Sequence, residues 1–465
     1  MSFDCVVLAA GKGTRMKSSI SKVLHEIAGR SIVFFPVRAA LQSGAARVIV
    51  VCSDENRDVI DAYLSEAFGR ERVHCVVQMQ QRGTGDAARV GLAECKTEAV
   101  CILCGDTPLV TPADLELLQR QQDGQSPSLS VLSCKLFDPT GYGRILRDPS
   151  GRVLAIREHR DATEQERAIT EVNAGLYFGS KPAIEQALND IVPNNAQGES
   201  YLTDVVAILS KTSHVAARLG SPDTLLGIND REQLELAEQK LLQRIRTDLR
   251  RSGITIRGDA RIEDPVQIEA DCTIEAGVQL RGNCRIGGGT RIDVGSILTN
   301  VTVGANTVVL PYSVMTDSSV GEKAQIGPFS HLRPASIIEN EAHIGNFVET
   351  KKTRVRRGAK ANHLSYLGDG DVGEKANIGA GTIFCNYDGY RKQPTIIGAG
   401  AFIGSDSQLV APIVIGKGAY VATGTTVTMN VPDDALAIGR IRQENKAGYA
   451  ARLRGRLAAQ AGKKP

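Results

Sequence analysis

The sequence predicts two architectures in series, an α/β domain built on a parallel sheet and then a parallel β-helix. Three observations predict this. Strand-like and helix-like segments alternate through residues 1–230, one long amphipathic run fills 231–251, and after Gly253 an aliphatic residue recurs every six positions. The boundaries expected are therefore 1–230, a helical linker over 231–251, and 252–465 with a C-terminal tail.

In the first region Cys5–Ala10, Arg47–Cys52, Val73–Gln78 and Val100–Leu103 are apolar runs rich in Val, Ile and Leu, each short enough to be a strand. Helical patterns such as Val33–Ser43 and Val59–Phe68 lie between them. Such alternation means βαβ units, with ligands expected at the carboxyl ends of the strands. In the second region Leu234, Ala237, Leu241, Ile245 and Leu249 share one helix face. Asp230 with Gln233 reads as a capping pair and Gly253 as the stop, giving a strut between domains.

The third region begins with Ile268, Ile274, Leu280, Ile286 and Ile292, and continues as aliphatic-Gly pairs from Val303-Gly304 to Ile415-Gly416. Each hexad is one flat face with the aliphatic residue inward, and Gly or a small residue is expected to allow the corner. A narrow aliphatic column suits a region without Trp. The phase slips between Ile344 and Val372, a spacing of 28, and between Ile378 and Ile397, a spacing of 19. Both slips are read as loops, the second holding the polar run Cys385–Lys392.

Composition narrows the function. A hydrophobic content of 42% supports a buried core, and a formal charge of +3 gives no reason to expect nucleic acid as partner. No apolar run approaches the roughly 20 residues of a spanning helix, so the expectation is a soluble, cytoplasmic chain without a membrane partner. Ten cysteines without a secretory leader read as buried thiols. Cys101 and Cys104 have CxxC spacing on a strand, where residues three apart face opposite sides, a poor chelating geometry. Arg452, Arg454, Arg456, Lys463 and Lys464 read as a solvated tail on a short helix.

The first strand runs into Gly11-Lys12-Gly13-Thr14-Arg15-Met16, with Lys22 beyond. Backbone N–H groups of such a turn can approach phosphate oxygens while Arg and Lys neutralise their charge. The run lacks the third glycine of a dinucleotide fingerprint and the Gly-Lys-Ser/Thr of a P-loop. Read alone, Asn229 is a helix cap, Asp106 equally a turn residue, and Glu158 a solvated charge.

Leu8–Met16 followed by Lys22 resembles the signature of sugar-nucleotide pyrophosphorylases. Gln78, Gly83-Thr84-Gly85, Gly105-Asp106, Gly141-Tyr142-Gly143-Arg144, Glu158, Asn173 and Asn229 follow in order. With the hexapeptide region, nearly the whole chain resembles the bifunctional N-acetylglucosamine-1-phosphate uridyltransferase/glucosamine-1-phosphate acetyltransferase family. The resemblance implies a Rossmann-like nucleotidyltransferase domain followed by a left-handed β-helix, assembled as a homotrimer with acetyl-CoA between subunits. The small-molecule partners it implies are UTP, glucosamine 1-phosphate, N-acetylglucosamine 1-phosphate and acetyl-CoA.

It also implies roles. Leu8, Ala9, Ala10, Gly11, Gln78, Gly83 and Thr84 would hold the uridine, Gln78 offering both a donor and an acceptor. Arg15 and Lys22 would neutralise phosphates; Cys104 and Gly105 would adjoin the nucleotide, with Cys104 where the family commonly has Tyr. Gly141, Glu158 and Asn173 would hold the acetamido sugar, and Asp106 and Asn229 would hold Mg²⁺, a hard cation that prefers oxygen.

In the solenoid, acetylation of an amine asks for a base that titrates near neutrality, which is the ordinary range of histidine. The resemblance assigns that role to His363. It places Arg333 and Lys351 on the sugar phosphate, and Tyr366, Asn377, Asn386 and Tyr387 around the sugar and acetyl group. Ala380, Ser405, Thr423 and Arg440 would line the acetyl-CoA site, with Thr423 where the family commonly has Ala. Arg391 and Lys392 are candidates for a CoA phosphate on charge alone. The rival readings are a single-activity nucleotidyltransferase with a regulatory β-helix and a noncatalytic assembly protein. The intact phosphate-binding and imidazole-bearing motifs oppose both.

Overall fold

In the computed structural model, which describes residues 2–120, 127–192, 195 and 198–462, the first half of the chain builds one sheet around the strand Phe3–Leu8. The strand order is Val215–Leu219, Leu129–Lys135, Glu171–Ser180, Ala99–Cys104, Phe3–Leu8, Ala45–Cys52, Val73–Val77. Phe3–Leu8 pairs in parallel with Ala45–Cys52 on one side and Ala99–Cys104 on the other. The chain thus leaves the first strand in both directions, and a ligand crevice opens at the carboxyl ends.

Both faces of this sheet are covered, so its central strands are apolar throughout. Cys5 and Val7 pack with Val37 of the helix Phe34–Gln42 and with Leu115 and Leu118 of Pro112–Gln119. Val6, Ile49 and Ile102 pack on the opposite face, with Leu92 of Thr84–Ala93, Leu188 of Lys181–Asn189 and Val205 of Asp204–Thr212.

The sheet is mixed, where parallel βαβ units were expected. Glu171–Ser180 runs antiparallel to both its neighbours. It is reached from the hairpin Arg144–Arg147/Val153–Arg157 and not through a helical crossover, so nothing forces it parallel.

The amphipathic run is one helix, Arg231–Arg251, in which Ala237, Leu241 and Leu242 are buried and Leu234 and Ile245 pack alongside. Asp230 caps it by accepting from the Gln233 N–H at 2.9 Å, but the Gln233 side chain returns to the Asn229 N–H at 2.8 Å instead of closing a box on Asp230. The chain divides into two units, Met1–Asp248 with Glu263–Pro265, and Leu249–Ile262 with Val266–Pro465.

The second unit is a left-handed parallel β-helix of three parallel sheets with 11, 10 and 9 strands. Each coil contributes one strand to each sheet, and the inward residues stack in columns. One column runs Ile256, Ile274, Ile292, Val309, Ile326, Ile344, and another Ile268, Ile286, Val303, Val320, Ile338.

Two expectations about the coils need correction. The slip after Ile344 is no loop: Ile344 pairs with Ala361 and Ala361 with Ile378, so these are coils of 17 residues without insertion. Thr350 and Ala361 hold inward positions there, and their small or polar side chains hide the repeat. The second slip is a real excursion, from Ile383–Cys385 to Thr395–Ile397.

Nor do the repeat glycines make the corners. Left-handed backbone falls mostly on residues outside those pairs, both on glycines such as Gly258, Gly277, Gly295 and Gly400 and on Asn306, Tyr312, Phe329, Phe347 and Leu364. Apart from Gly327, at φ +94°, the glycine after the aliphatic residue has ordinary φ and is needed for close stacking: a Cβ on Gly304 would lie 2.6 Å from the Glu322 nitrogen, and one on Gly404 2.5 Å from the Thr423 nitrogen.

All ten cysteines are free thiols, and only Cys104 and Cys385 are not fully buried. Among the described residues no helix is long and apolar enough to cross a membrane. Arg452, Arg454 and Arg456 lie on the exposed helix Tyr449–Gln460, while Lys463 and Lys464 lie outside the described residues.

Candidate active sites

The first site grows from two strand ends. Leu8 is the register partner of Cys104, and the Gly105 N–H donates to the Leu8 carbonyl at 2.9 Å. Ala9 is tied to Val51 on the other side at 2.8 Å. The Gln81 amide donates to the Ala10 carbonyl at 2.7 Å, so the turn into Gly11 is held from three directions.

Asp106 follows directly, and its carbonyl accepts from the Ile228 N–H at 2.9 Å, which docks the segment carrying Asn229 beside it. The Lys22 ammonium pairs with the Asp106 carboxylate, and the Arg15 guanidinium donates to Asn229 Oδ1 at 2.7 Å. Four residues far apart in sequence form one network. Asn229 is therefore not the helix cap; that is Asp230, and the Asn229 side chain is left to the site.

Both Asp106 and Asn229 offer oxygen, and both already face a cation. That donor set suits a hard divalent ion that keeps most of its shell from water and phosphate. Among the described residues no group of three or more His, Cys, Asp or Glu gathers into a self-sufficient metal cage.

Gln78 is buried, and its amide hydrogens go to the Gly83 carbonyl at 3.2 Å and Asp86 Oδ2 at 2.8 Å. It therefore offers a ligand its oxygen alone, where a donor and an acceptor were expected. The Gly85 N–H donates to the Ser200 carbonyl at 2.8 Å, and Thr84 Oγ1 accepts from the Leu202 N–H at 3.0 Å.

Gly141 lies in an exposed turn with left-handed φ. Glu158, half-buried and not solvated, accepts from the Thr203 hydroxyl at 3.1 Å, and burial pushes its pKa up. It lines a cavity of about 250 Å³ with Asp161, Tyr201 and Asp204. The Asn173 N–H donates to the Gly143 carbonyl at 2.8 Å, which ties the strand carrying Asn173 to the turn that holds Gly141. Cys104 turns its thiol to the Gly175 carbonyl at 3.5 Å, and burial, with Asp106 nearby, pushes that thiol up to about 12.

Sequence reasoning missed Asp86, Gln81 and Thr203, and it quoted Arg144 in a glycine motif without giving it a role. The Arg144 side chain is 1% exposed, and its guanidinium donates to the Tyr142 carbonyl, pinning the Gly141–Gly143 turn from beneath. Tyr142-Gly143-Arg144 was the available signal, because a charged residue following a glycine turn needs a partner.

The second site follows the solenoid's register. His363 ends the strand Lys360–His363, opposite Asn346, and is exposed. Continuing the pairings Lys360–Asn377, Asn377–Phe402 and Phe402–Tyr420 stacks His363, Ala380, Ser405 and Thr423 in one line along a corner. The ladder beside it agrees: Asp406 N–H donates to Ala380 at 2.7 Å and Gly424 N–H to Ser405 at 2.8 Å. Arg440 closes the line by donating to the Thr423 carbonyl. The Ser365 hydroxyl donates to the His363 carbonyl at 2.9 Å and fixes the turn.

Round that corner, alternation puts Arg333, Lys351 and Tyr366 on the outer face of the next sheet, since Leu332, Thr350 and Leu367 point inward. Arg333 is held by Glu349 at 2.7 Å. Asn386 is buried and donates to Asp369 Oδ2 at 2.6 Å. Its amide and the Tyr366 hydroxyl converge over Gly368, where a Cβ would lie 2.5 Å from each. Gly368, Asp369 and Glu349 are the residues the sequence reading passed over. Tyr387 is exposed at the excursion, with the Lys392 ammonium 4.7 Å from its ring centre; Arg391 is exposed beside it. Asn377, half-buried on the first sheet, stands one coil beyond Lys360.

Comparison with known proteins agrees with both halves. Residues 5–168 match the family described as MobA-like NTP transferase domain, and residues 259–294 and 394–429 match the hexapeptide repeat of succinyl-transferase. The chain is 59% identical to "Bifunctional protein GlmU" of Sorangium cellulosum (strain So ce56), over 97% of each chain. It is 48% identical to the protein of that name from Anaeromyxobacter sp. (strain Fw109-5), covering 96% of this chain and 92% of the other. A third, from Trichlorobacter lovleyi, is 41% identical over 97% of this chain and 98% of its own. With two built sites on two repeat-distinct units and relatives matched end to end, the chain belongs to the bifunctional GlmU family.

Proposed function

We propose that this chain makes UDP-N-acetylglucosamine in two steps at two separate sites. The solenoid transfers acetyl from acetyl-CoA to glucosamine 1-phosphate, and the α/β unit joins the product to UTP and releases pyrophosphate.

In the first step the free amine attacks the thioester carbonyl while His363 takes a proton from nitrogen, and CoA leaves as the thiol once protonated. Arg333 and Lys351 hold the sugar phosphate by charge. Tyr366 and Asn386 hold the sugar, with Asn377 and Tyr387 at its edges. The line of Ala380, Ser405, Thr423 and Arg440 takes the acetyl-CoA.

In the second step a phosphate oxygen of the N-acetylated sugar attacks the α-phosphorus of UTP in line. The turn Leu8–Gly11 and Cys104-Gly105 approach the nucleotide through backbone, and the free Gln78 oxygen accepts from an imide N–H, which uracil supplies. Gly83 and Thr84 close over the base. Arg15 and Lys22 neutralise phosphate charge, and Gly141, Glu158 and Asn173 seat the acetamido sugar. Asp106 and Asn229 would hold Mg²⁺, which when bound supplies further neutralisation of the triphosphate. A cytoplasmic homotrimer, with acetyl-CoA between neighbouring solenoids, completes the reading.

The observation that carries it is the corner line of His363, Ala380, Ser405 and Thr423, since a purely structural solenoid has no use for an imidazole beside paired phosphate binders. The test supplies Mg²⁺, UTP, acetyl-CoA and either sugar phosphate, and follows CoA and pyrophosphate separately. His363→Ala abolishes CoA release and spares pyrophosphate release from N-acetylglucosamine 1-phosphate; Asp106→Ala does the reverse. Loss of both reactions from either folded variant refutes two independent sites.

A further inference from the structure

The strand Glu171–Ser180 breaks its register in the middle of the first site. Asn173 pairs with Ser133, yet Tyr177 pairs with Val131, so two extra residues bulge out between them, with Gly175 at φ +75°. A bulge next to a site re-aims a side chain, and this one turns Asn173 back toward its own strand. The Asn173 amide nitrogen donates to the Tyr177 hydroxyl at 2.8 Å, and its oxygen accepts from the Gly175 N–H at 3.0 Å.

The carboxamide is thus clamped at both ends. Its oxygen cannot exchange places with its nitrogen, because the Gly175 N–H would then face a donor. What remains for a ligand is one N–H and one lone pair, in a fixed orientation. The far anchor does not yield either. Tyr177 is 3% exposed and sits opposite Ile102, and burial keeps its phenol neutral by pushing its pKa well up. Cys104 leaves just enough room: a Cβ on Gly175 would stand 2.7 Å from its sulfur, so a bulkier side chain at 104 presses on the bulge.

We infer that Tyr177 is a positioning residue that, by fixing the Asn173 carboxamide across the bulge, sets the first site's preference for an N-acetylated sugar phosphate over the free amine. This rests on the reading that Asn173 meets the acetamido group. The fixed N–H donor matches the acetyl carbonyl, an acceptor that an ammonium lacks, while the one remaining lone pair can take an N–H from either form. An Asn173 free to turn offers its oxygen to either and loses that distinction.

The experiment uses the full-length chain and follows pyrophosphate release with N-acetylglucosamine 1-phosphate and with glucosamine 1-phosphate. Tyr177→Phe keeps the ring and removes only the hydroxyl. Its KM for the N-acetylated sugar phosphate rises about three- to tenfold, the loss expected for one hydrogen bond. Its KM for UTP and its kcat stay within about twofold, and its preference over glucosamine 1-phosphate narrows. Asn173→Ala raises the same KM at least as far, and the double variant is no worse than Asn173→Ala alone.

An unchanged KM in Tyr177→Phe beside a raised one in Asn173→Ala overturns the role of Tyr177 and leaves the sugar site standing. Additive effects in the double variant, or an equal rise in the KM for UTP, overturn it as well. An unchanged KM in Asn173→Ala overturns the reading of Asn173 itself, and the inference with it.

Discussion

Replacing Gly368 by alanine is the smallest change that strikes the acetyl-transfer site. The added Cβ would lie 2.5 Å from both the Asn386 amide nitrogen and the Tyr366 hydroxyl. An ordinary contact needs about 3.4 Å, so each must retreat by about 0.9 Å. Asn386 has little freedom, being 4% exposed and bound to Asp369 at 2.6 Å. Moving it by that amount stretches the bond to about 3.5 Å, the edge of hydrogen bonding. Overpacking costs about 1–3 kcal/mol and loss of a charge-assisted bond about 1.5–3 kcal/mol, so the side chains give way before the coil does. A displacement near 1 Å costs about a hundredfold in rate. Gly368→Ala is therefore expected to lower CoA release from acetyl-CoA and glucosamine 1-phosphate by about that factor, with pyrophosphate release untouched. A thiol-reactive dye reads the first and a phosphate-coupled assay the second. CoA release at the parent rate would show that Tyr366 and Asn386 do not act where they converge.

Two further changes probe the first site. Glu158 has its pKa raised by burial, so its contribution to folding is full below its unfolded value of about 4.3 and is lost as pH climbs through the folded one. Glu158→Gln keeps the Thr203 contact and removes that loss: the melting temperature rises at pH 7 by about 2–4 °C per kcal/mol recovered, the gain shrinking to nothing below about pH 4, while the KM for sugar phosphate increases. Thermal melts across pH check the sign. Lys22→Met removes the ammonium that occupies the Asp106 carboxylate, so Mn²⁺ read by its paramagnetic resonance binds the nucleotide-free protein about tenfold more tightly, whereas UTP binds more weakly. Unchanged or weaker Mn²⁺ binding counts against Asp106 as a metal ligand.

The solenoid was legible because its periodicity is local: Ile274, Leu280 and Ile286 announce one coil without reference to any other. It faded where Thr350 and Ala361 replaced the aliphatic signal. The strand ends of the α/β unit were also legible, since glycine turns after apolar runs have one common use. What stayed hidden depends on distance. Lys22 meets Asp106 across 84 positions and Arg15 meets Asn229 across 214, and no spacing rule encodes such pairs. The clamp on Asn173 needs a bulge that composition does not mark. The burial of Glu158 and Arg144 follows from elements packed over them, which a charged tetrad such as Arg157–Arg160 gives no sign of.

The register carries a kinetic consequence. In the solenoid the rungs join residues 16 to 18 positions apart, as Ile256 with Ile274, Ile344 with Ala361 and Val421 with Ala437, wherever the excursion does not intervene. Chain closure over so short a span is quick, and one formed coil offers its neighbour a ready template. The α/β unit must instead bring Phe3 to Ala99 before its central pair exists. Refolding from denaturant should proceed at two tempos, accretion along the solenoid running ahead of the sheet, whose long-separation contacts set the slower pace.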